Sequence, residues 1–238
     1  MARHLLIRLE APMIAFGGET IDNFGVIRDF PSLSMVTGLL GNALGWYRQE
    51  DEKHNRLQQR MVMGARIERV GERITDFQTA QLSAKDSGWT TLGMPESRHG
   101  GMKSYDSPHL RYRDYHADLA ILVVLRLEPA EESPTLDELA EALDRPARPL
   151  FIGRKPCLPT SRLLAGWEEG ENVLQVLQTA PAITATNDER WGLQWPDGEG
   201  ELEGEDRLLD LCDERNWTSG VHGGWRPVRQ VAIKPEGV

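Results

Sequence analysis

The apolar and polar positions of this chain change rhythm several times, and each change marks an element. HLLIRLEAP predicts a first strand over His4 to Glu10, ended by Pro12. A loop with glycines at 17, 18 and 25 follows. In SMVTGLLGNALGWYRQ the residues Val36, Leu39, Leu40, Ala43, Leu44 and Tyr47 recur at helical spacing. Ser34 is placed as the N-cap, with Pro31 and Ser32 just outside. Gly38, Gly41 and Gly45 leave one face of this helix nearly bare. Each glycine weakens a helix by about 1 kcal/mol, so a close approach by another element is expected on that face.

MVMGARIERVGERI predicts a second strand entering a turn. Residues 80–111 are rich in Ser, Gly, Pro, His and Lys and hold no period. A segment that long and irregular inside a compact domain points to function. DLAILVVLRL, from Asp118 to Leu127, predicts a central strand because it is apolar on both faces. PTLDELAEALDRP predicts a helix with Thr135 and Glu138 as a capping box and Leu136, Leu139, Ala140 and Leu143 as the buried stripe. A short strand is expected from Pro149 to Ile152. This order of elements is the β-α-β-β-α-β unit of the ferredoxin-like α+β fold, whose antiparallel sheet is the RNA platform of RRM domains. Fold alone does not establish function.

From about Ala165 the texture changes. ENVLQVLQTAP is briefly periodic, RWGLQWP is short and aromatic, and GVHGGWRPVRQVAIK predicts a closing hairpin. The expected division is a ferredoxin-like domain over 1–164, carrying the insertion at about 80–111, and a smaller β-rich C-terminal domain over 165–238.

Composition sharpens this picture at one place. The 238 residues carry a net charge of −10. Eleven acidic residues and only three arginines fall between 186 and 215, so that stretch supplies most of it. The window from Arg145 to Arg162 holds five basic residues and no acidic ones, with LFIGRKPCLP at its centre. A local basic surface binds a polyanion whatever the total charge. The acidic run DGEGELEGED at 197–206 is expected to be a solvated loop. No apolar run approaches the roughly 18 residues of a membrane span. The start, MARHLLIRLEAP, is too short in apolar residues for a signal peptide. Cys157 and Cys212 lack zinc or redox spacing. A cytoplasmic protein with reduced thiols and neither metal nor other cofactor is expected.

Five segments together resemble one family. FPSLSMVTGLLGNALGWYR is similar to a Pro-Thr-basic-Ser motif followed by Gly-Leu-Leu and Ala-Leu-Gly. ITDFQTA is similar to an Asp-Tyr-His-Thr segment, and YRDYHADLAILVVL to an Arg-x-Tyr-x-x-Asp leading into an apolar strand. LFIGRKPCLP resembles a Gly-Arg-Lys/Arg-x-Cys-Pro-like turn. LIRLEAPMIAFGG resembles the first strand and the Pro-Met-x-x-Trp-Gly after it. The family is CasD, of the RAMP superfamily. It caps the 5′ handle of crRNA in type I-E CRISPR Cascade complexes, and the resemblance covers roughly residues 3–164. It implies a noncatalytic RNA-binding subunit in antiviral defence. The implied partners are the crRNA handle, a CasC-like backbone subunit and a CasA-like large subunit, with target DNA reached through the complex. The irregular insertion corresponds to the family's thumb, which reaches over the guide. Leu33 stands where the family has a basic residue, Gln78 where it has His and Phe16 where it has Trp. Pro156 replaces a small polar residue.

The residue types point the same way. Gly153 permits a sharp turn and close approach, and Arg154 and Lys155 offer a fork and a point charge to phosphate. The plainer reading is a solvated basic turn. Ser34 and the amides after it make a candidate anion site, with Arg28 beside it, or a simple helix cap. Arg111 and Arg113 interleave with Tyr112 and Tyr115, a pattern suited to splayed bases; Tyr115 is equally a core residue. Lys103 lies toward the insertion's tip. The RNA-binding candidates are therefore Arg28, Ser34, Lys103, Arg111, Arg113, Tyr115, Arg154 and Lys155. The enzymatic alternative is a metal-independent endoribonuclease processing precursor crRNA. It would use His116 with Tyr112 and Lys155, or His99 or His109, but no recognisable catalytic arrangement contains them.

Overall fold

A computed structural model describes residues 1–18, 20, 23–80, 108–184, 190–202 and 206–234. In chain order its elements begin with β1 (Ala2–Glu10), β2 (Met13–Ile14), β3 (Phe24–Gly25), α1 (Leu33–Ala43) and α2 (Asp51–Arg60). Next come β4 (Met61–Arg69), β5 (Glu72–Ala80), β6 (His109–Ala117), β7 (Ala120–Leu127) and α3 (Leu136–Asp144). The chain ends with β8 (Leu164–Gly170), α4 (Val173–Thr179), β9 (Trp191–Pro196), β10 (Arg207–Leu211) and β11 (Arg226–Ile233).

The main sheet has seven strands in the order β10-β11-β9-β4-β7-β1-β8. Every pairing in it is antiparallel. Within it, β1-α1-β4-β7-α3-β8 is the ferredoxin-like unit, and its strands lie side by side as β4-β7-β1-β8. β7 is central, as its two-faced apolar run requires. Ile121, Val123 and Leu125 face the larger core beneath α1 and α3, while Leu122 and Val124 face a second core under α4. That second core includes Trp191, Leu193 and Trp195. It covers the sheet face that RRM domains leave open to RNA, so that face is not an open platform here.

Several expectations need correction. The fourth strand of the unit is β8, not residues 149–152. There the chain turns back on itself, with the Ile152 N–H donating to the Cys157 carbonyl at 2.7 Å. The division at 164/165 falls at the start of β8, which pairs with β1, and β9, β10 and β11 continue the same sheet. The closing hairpin is not local: β11 pairs with β10 and β9. α1 is capped by Ser32, whose Oγ accepts from the Met35 N–H at 3.1 Å, and it ends at Ala43. α2 is an addition, and it meets the bare face of α1. A Cβ on Gly41 would lie 2.7 Å from His54 Nε2, so a larger residue there would displace the His54 ring.

A second, four-stranded sheet stands on the first. β6 pairs antiparallel with β2 and β5 and parallel with β3. β5 and β6 keep register over nine pairs, from Glu72↔Ala117 to Ala80↔His109. They form an arm rising from β4 and β7, and all nine residues of β5 are exposed. The expected insertion at 80–111 thus begins and ends on strands; residues 81–107 lie outside the described residues.

Candidate nucleic-acid interface

The Gly153 turn is built by close packing. Gly153 has φ +86°, and a Cβ there would sit 1.8 Å from the Ala15 carbonyl oxygen. Only glycine tolerates both. The Cys157 N–H donates to the Arg154 carbonyl at 2.9 Å, closing the turn. Cys157 is buried, and burial pushes its thiol above the ordinary range, which makes it packing rather than chemistry.

Arg154 acts as a buckle. Its Nη1 donates to the Asp114 carbonyl and its Nη2 to the Gly25 carbonyl, both at 2.9 Å. Its guanidinium lies 4.8 Å from the centre of the Tyr115 ring. One side chain therefore ties the turn to β3 and β6. Tyr115 is 4 % exposed and belongs to the core beneath this cation. Lys155, next in the chain, is exposed.

Strand alternation sorts the remaining candidates. Arg111, Arg113 and Tyr115 share one face of β6, and Tyr112, Asp114 and His116 the other. Arg113 opposes Gly25 in register, close to Arg154, and no hydrogen bond or ion pair holds it among the described residues. Arg111 is exposed at the edge, where its Nη1 donates to Asn23 Oδ1 at 2.5 Å. Arg111 and Arg113 on this face of β6, Arg154 beside Gly25 and the exposed Lys155 after it make up a cation face along the arm, with Asp76 opposite Arg113 on β5. Lys103 lies outside the described residues.

Arg28 and Ser34 are elsewhere. Arg28 Nη2 donates to the Cys212 carbonyl at 2.9 Å. Ser34 is buried and its N–H donates to the Asp213 carbonyl at 3.1 Å. The Leu33 N–H donates to Asp213 Oδ2 at 3.0 Å. Asp213 is 2 % exposed and doubly bonded to Arg226, at 2.7 and 2.8 Å. The anion position expected at this helix start is therefore filled by the protein's own carboxylate. Leu33 is itself buried.

Two further arrangements were missed. Phe24, Tyr112 and Phe77 form a row across β3, β6 and β5 on the face opposite the cations. Ring centres are 5.1 Å apart on both sides of Tyr112. Only Tyr112 carried a signal in sequence, through its neighbouring arginines. The acidic run is also less solvated than expected. Arg229 pairs with Asp197, Glu201 and Asp206, and Glu199 binds Arg126 and accepts from the Val173 N–H at the start of α4. His116 is buried, with Nε2 3.0 Å from the Arg28 carbonyl. Tyr112 is four steps away along the strand, roughly 13 Å.

The fold and the arm define a class: a ferredoxin-like α+β protein with its sheet extended by C-terminal strands. The family model described as CRISPR-associated protein (Cas_Cas5) matches residues 4–229. The chain belongs to the Cas5 family. It is 29 % identical over 166 residues to the CRISPR system Cascade subunit CasD of Escherichia coli (strain K12), covering 70 % of this chain and 71 % of that protein. Two solved structures share the fold. A chain of a CRISPR RNA-guided surveillance complex superposes with TM-score 0.70 at 21 % identity, covering 97 % of this chain and 90 % of that one. A Cas protein crystal structure superposes with TM-score 0.65 at 24 % identity, covering 98 % and 96 %.

Proposed function

We propose that the chain is a noncatalytic subunit of a type I-E Cascade surveillance complex, holding the 5′ handle of crRNA along the arm. The observation that carries this is the cation face. Arg113 and Lys155 are left to meet phosphate, while Arg154 anchors the turn that presents Lys155. The membership in the Cas5 family and the similarity to a Cascade subunit supply the context. The handle's phosphates lie along Arg111, Arg113 and Lys155, and the arm's outer part, with Lys103, reaches over the guide. A CasC-like backbone subunit and a CasA-like large subunit flank it, and the complex works in the cytoplasm.

Phosphate gripping needs no catalytic group, and His116 is committed to a backbone carbonyl. Purified protein therefore leaves a repeat RNA at full length in EDTA. In the assembled complex, Arg113→Ala with Lys155→Ala loses protection of the handle from nuclease. Intact protection in that double variant contradicts the assignment. Cleavage of the repeat by the purified protein, abolished by His116→Ala, would establish an endoribonuclease instead.

A further inference from the structure

The arm has a second surface that the cation face does not use. Phe24, Tyr112 and Phe77 sit on one register line, Phe24 opposite Tyr112 and Tyr112 opposite Phe77. Phe24 stacks on Tyr112 at an interplanar angle of 14°, and Phe77 leans on it at 39°. Phe24 is 55 % exposed and Phe77 54 %. Single exposed apolar residues are ordinary, but adjoining open rings on three neighbouring strands are not.

The surroundings decide what such a row fits. On the same face, β5 contributes Thr75 and Thr79 beside the rings, and Thr75 Oγ1 donates to Asp114 Oδ1 at 2.7 Å. The border mixes hydroxyl and charge with one aliphatic side chain, Leu110, which lies opposite Thr79. Tyr112 is flanked by the other two rings, so the faces left open are the outer ones of Phe24 and Phe77; a ring face with hydroxyls beside it matches a nucleobase, which has a π face and polar edges. At one end of the row the Arg111–Asn23 contact brings a guanidinium next to Phe24 along the chain. That places positive charge where a strand lying on the rings turns toward the cation face.

We propose that Phe24, Tyr112 and Phe77 form a stacking platform for unpaired bases of single-stranded RNA, with Arg111 taking a phosphate at its Phe24 end. This rests on the RNA-binding reading above and adds a separate contact to it. Stacking on rings is tolerant of base identity and does not release counterions, so it contributes affinity without adding to the salt dependence.

The probe is a short single-stranded RNA carrying 2-aminopurine, whose fluorescence falls when the base stacks. Wild-type full-length protein quenches it on binding. Phe24→Leu with Phe77→Leu keeps apolar side chains at both sites but loses the quenching and binds about tenfold more weakly, with an unchanged slope of affinity against salt. Phe77→Trp retains the quenching. A thermal melt of the double-Leu variant matching wild type excludes unfolding; a lowered melt is met by repeating the assay with Tyr112→Leu, which must lose quenching. Unchanged quenching and affinity in the folded double-Leu variant overturn the platform and leave the cation-face reading intact. Retained RNA affinity with loss of co-purifying complex subunits makes the row a protein contact and also overturns it. Wild-type protein that binds no RNA overturns both readings.

Discussion

The start of α1 and the Gly153 turn offer the same raw chemistry: free backbone amides, a serine or glycine and a nearby arginine. They end differently. At α1 the amides of Leu33 and Ser34 are taken by Asp213, and Arg28 is drawn to the Cys212 carbonyl. The C-terminal stretch has supplied its own anion there, and Arg226 neutralises it. At the turn Arg154 is spent on structure, while no hydrogen bond or ion pair holds Lys155 or Arg113 among the described residues. Anion-ready geometry becomes a binding site only where the fold leaves it unsatisfied. Asp213 belongs to the acidic C-terminal stretch, which is thus part of the reason that only one of the two is left unsatisfied.

The largest effect should come from Asp213→Ala. It uncaps α1 and strands a partly buried Arg226, so urea unfolding should show a loss of about 3 kcal/mol. A loss under about 1 kcal/mol would mean that Asp213 is not the helix's anion. Gly153→Ala forces a Cβ onto the Ala15 carbonyl and should cost about 2 kcal/mol in the same assay. Arg154→Ala removes two hydrogen bonds and the contact over Tyr115. We expect a loss of about 1.5 kcal/mol, with RNA affinity falling as well because the turn that presents Lys155 loosens. Ser34→Ala should leave RNA affinity within about twofold of wild type, as expected for a residue away from the interface. The smallest effect separates the two cysteines. Iodoacetamide should label Cys212 in the folded protein, while Cys157, buried with its thiol pushed up, reacts only on unfolding.

Legibility followed the same physics. β1, β7 and α3 were readable because their periods are strong and their caps local; the Thr135–Glu138 box lies within one turn. α2 was not, since DEKHNRLQQR has a single apolar residue, Leu57. It buries polar groups instead, with Gln58 bonded to the Arg215 backbone far along the chain. β8 was missed because LAGWEEG is an edge strand that reads as polar, while the proline-flanked 149–152 looked more strand-like. At the site, Gly153, Arg154 and Lys155 were visible as a local motif. The filling of α1 by Asp213 was not, because the partners are 180 residues apart. The ring row was hidden because Phe24 and Phe77 meet Tyr112 only through sheet register.

The most direct test of the central claim is the salt dependence of repeat-RNA affinity, wild type against Arg113→Ala with Lys155→Ala. If these two cations grip phosphates, log affinity falls linearly with log salt. The double variant binds more weakly, and its slope is shallower by about 0.7 for each lost single-strand contact. Its unfolding free energy should stay within about 0.5 kcal/mol of wild type, because neither side chain has a hydrogen bond or ion pair among the described residues. Identical slopes for the two proteins would contradict the account.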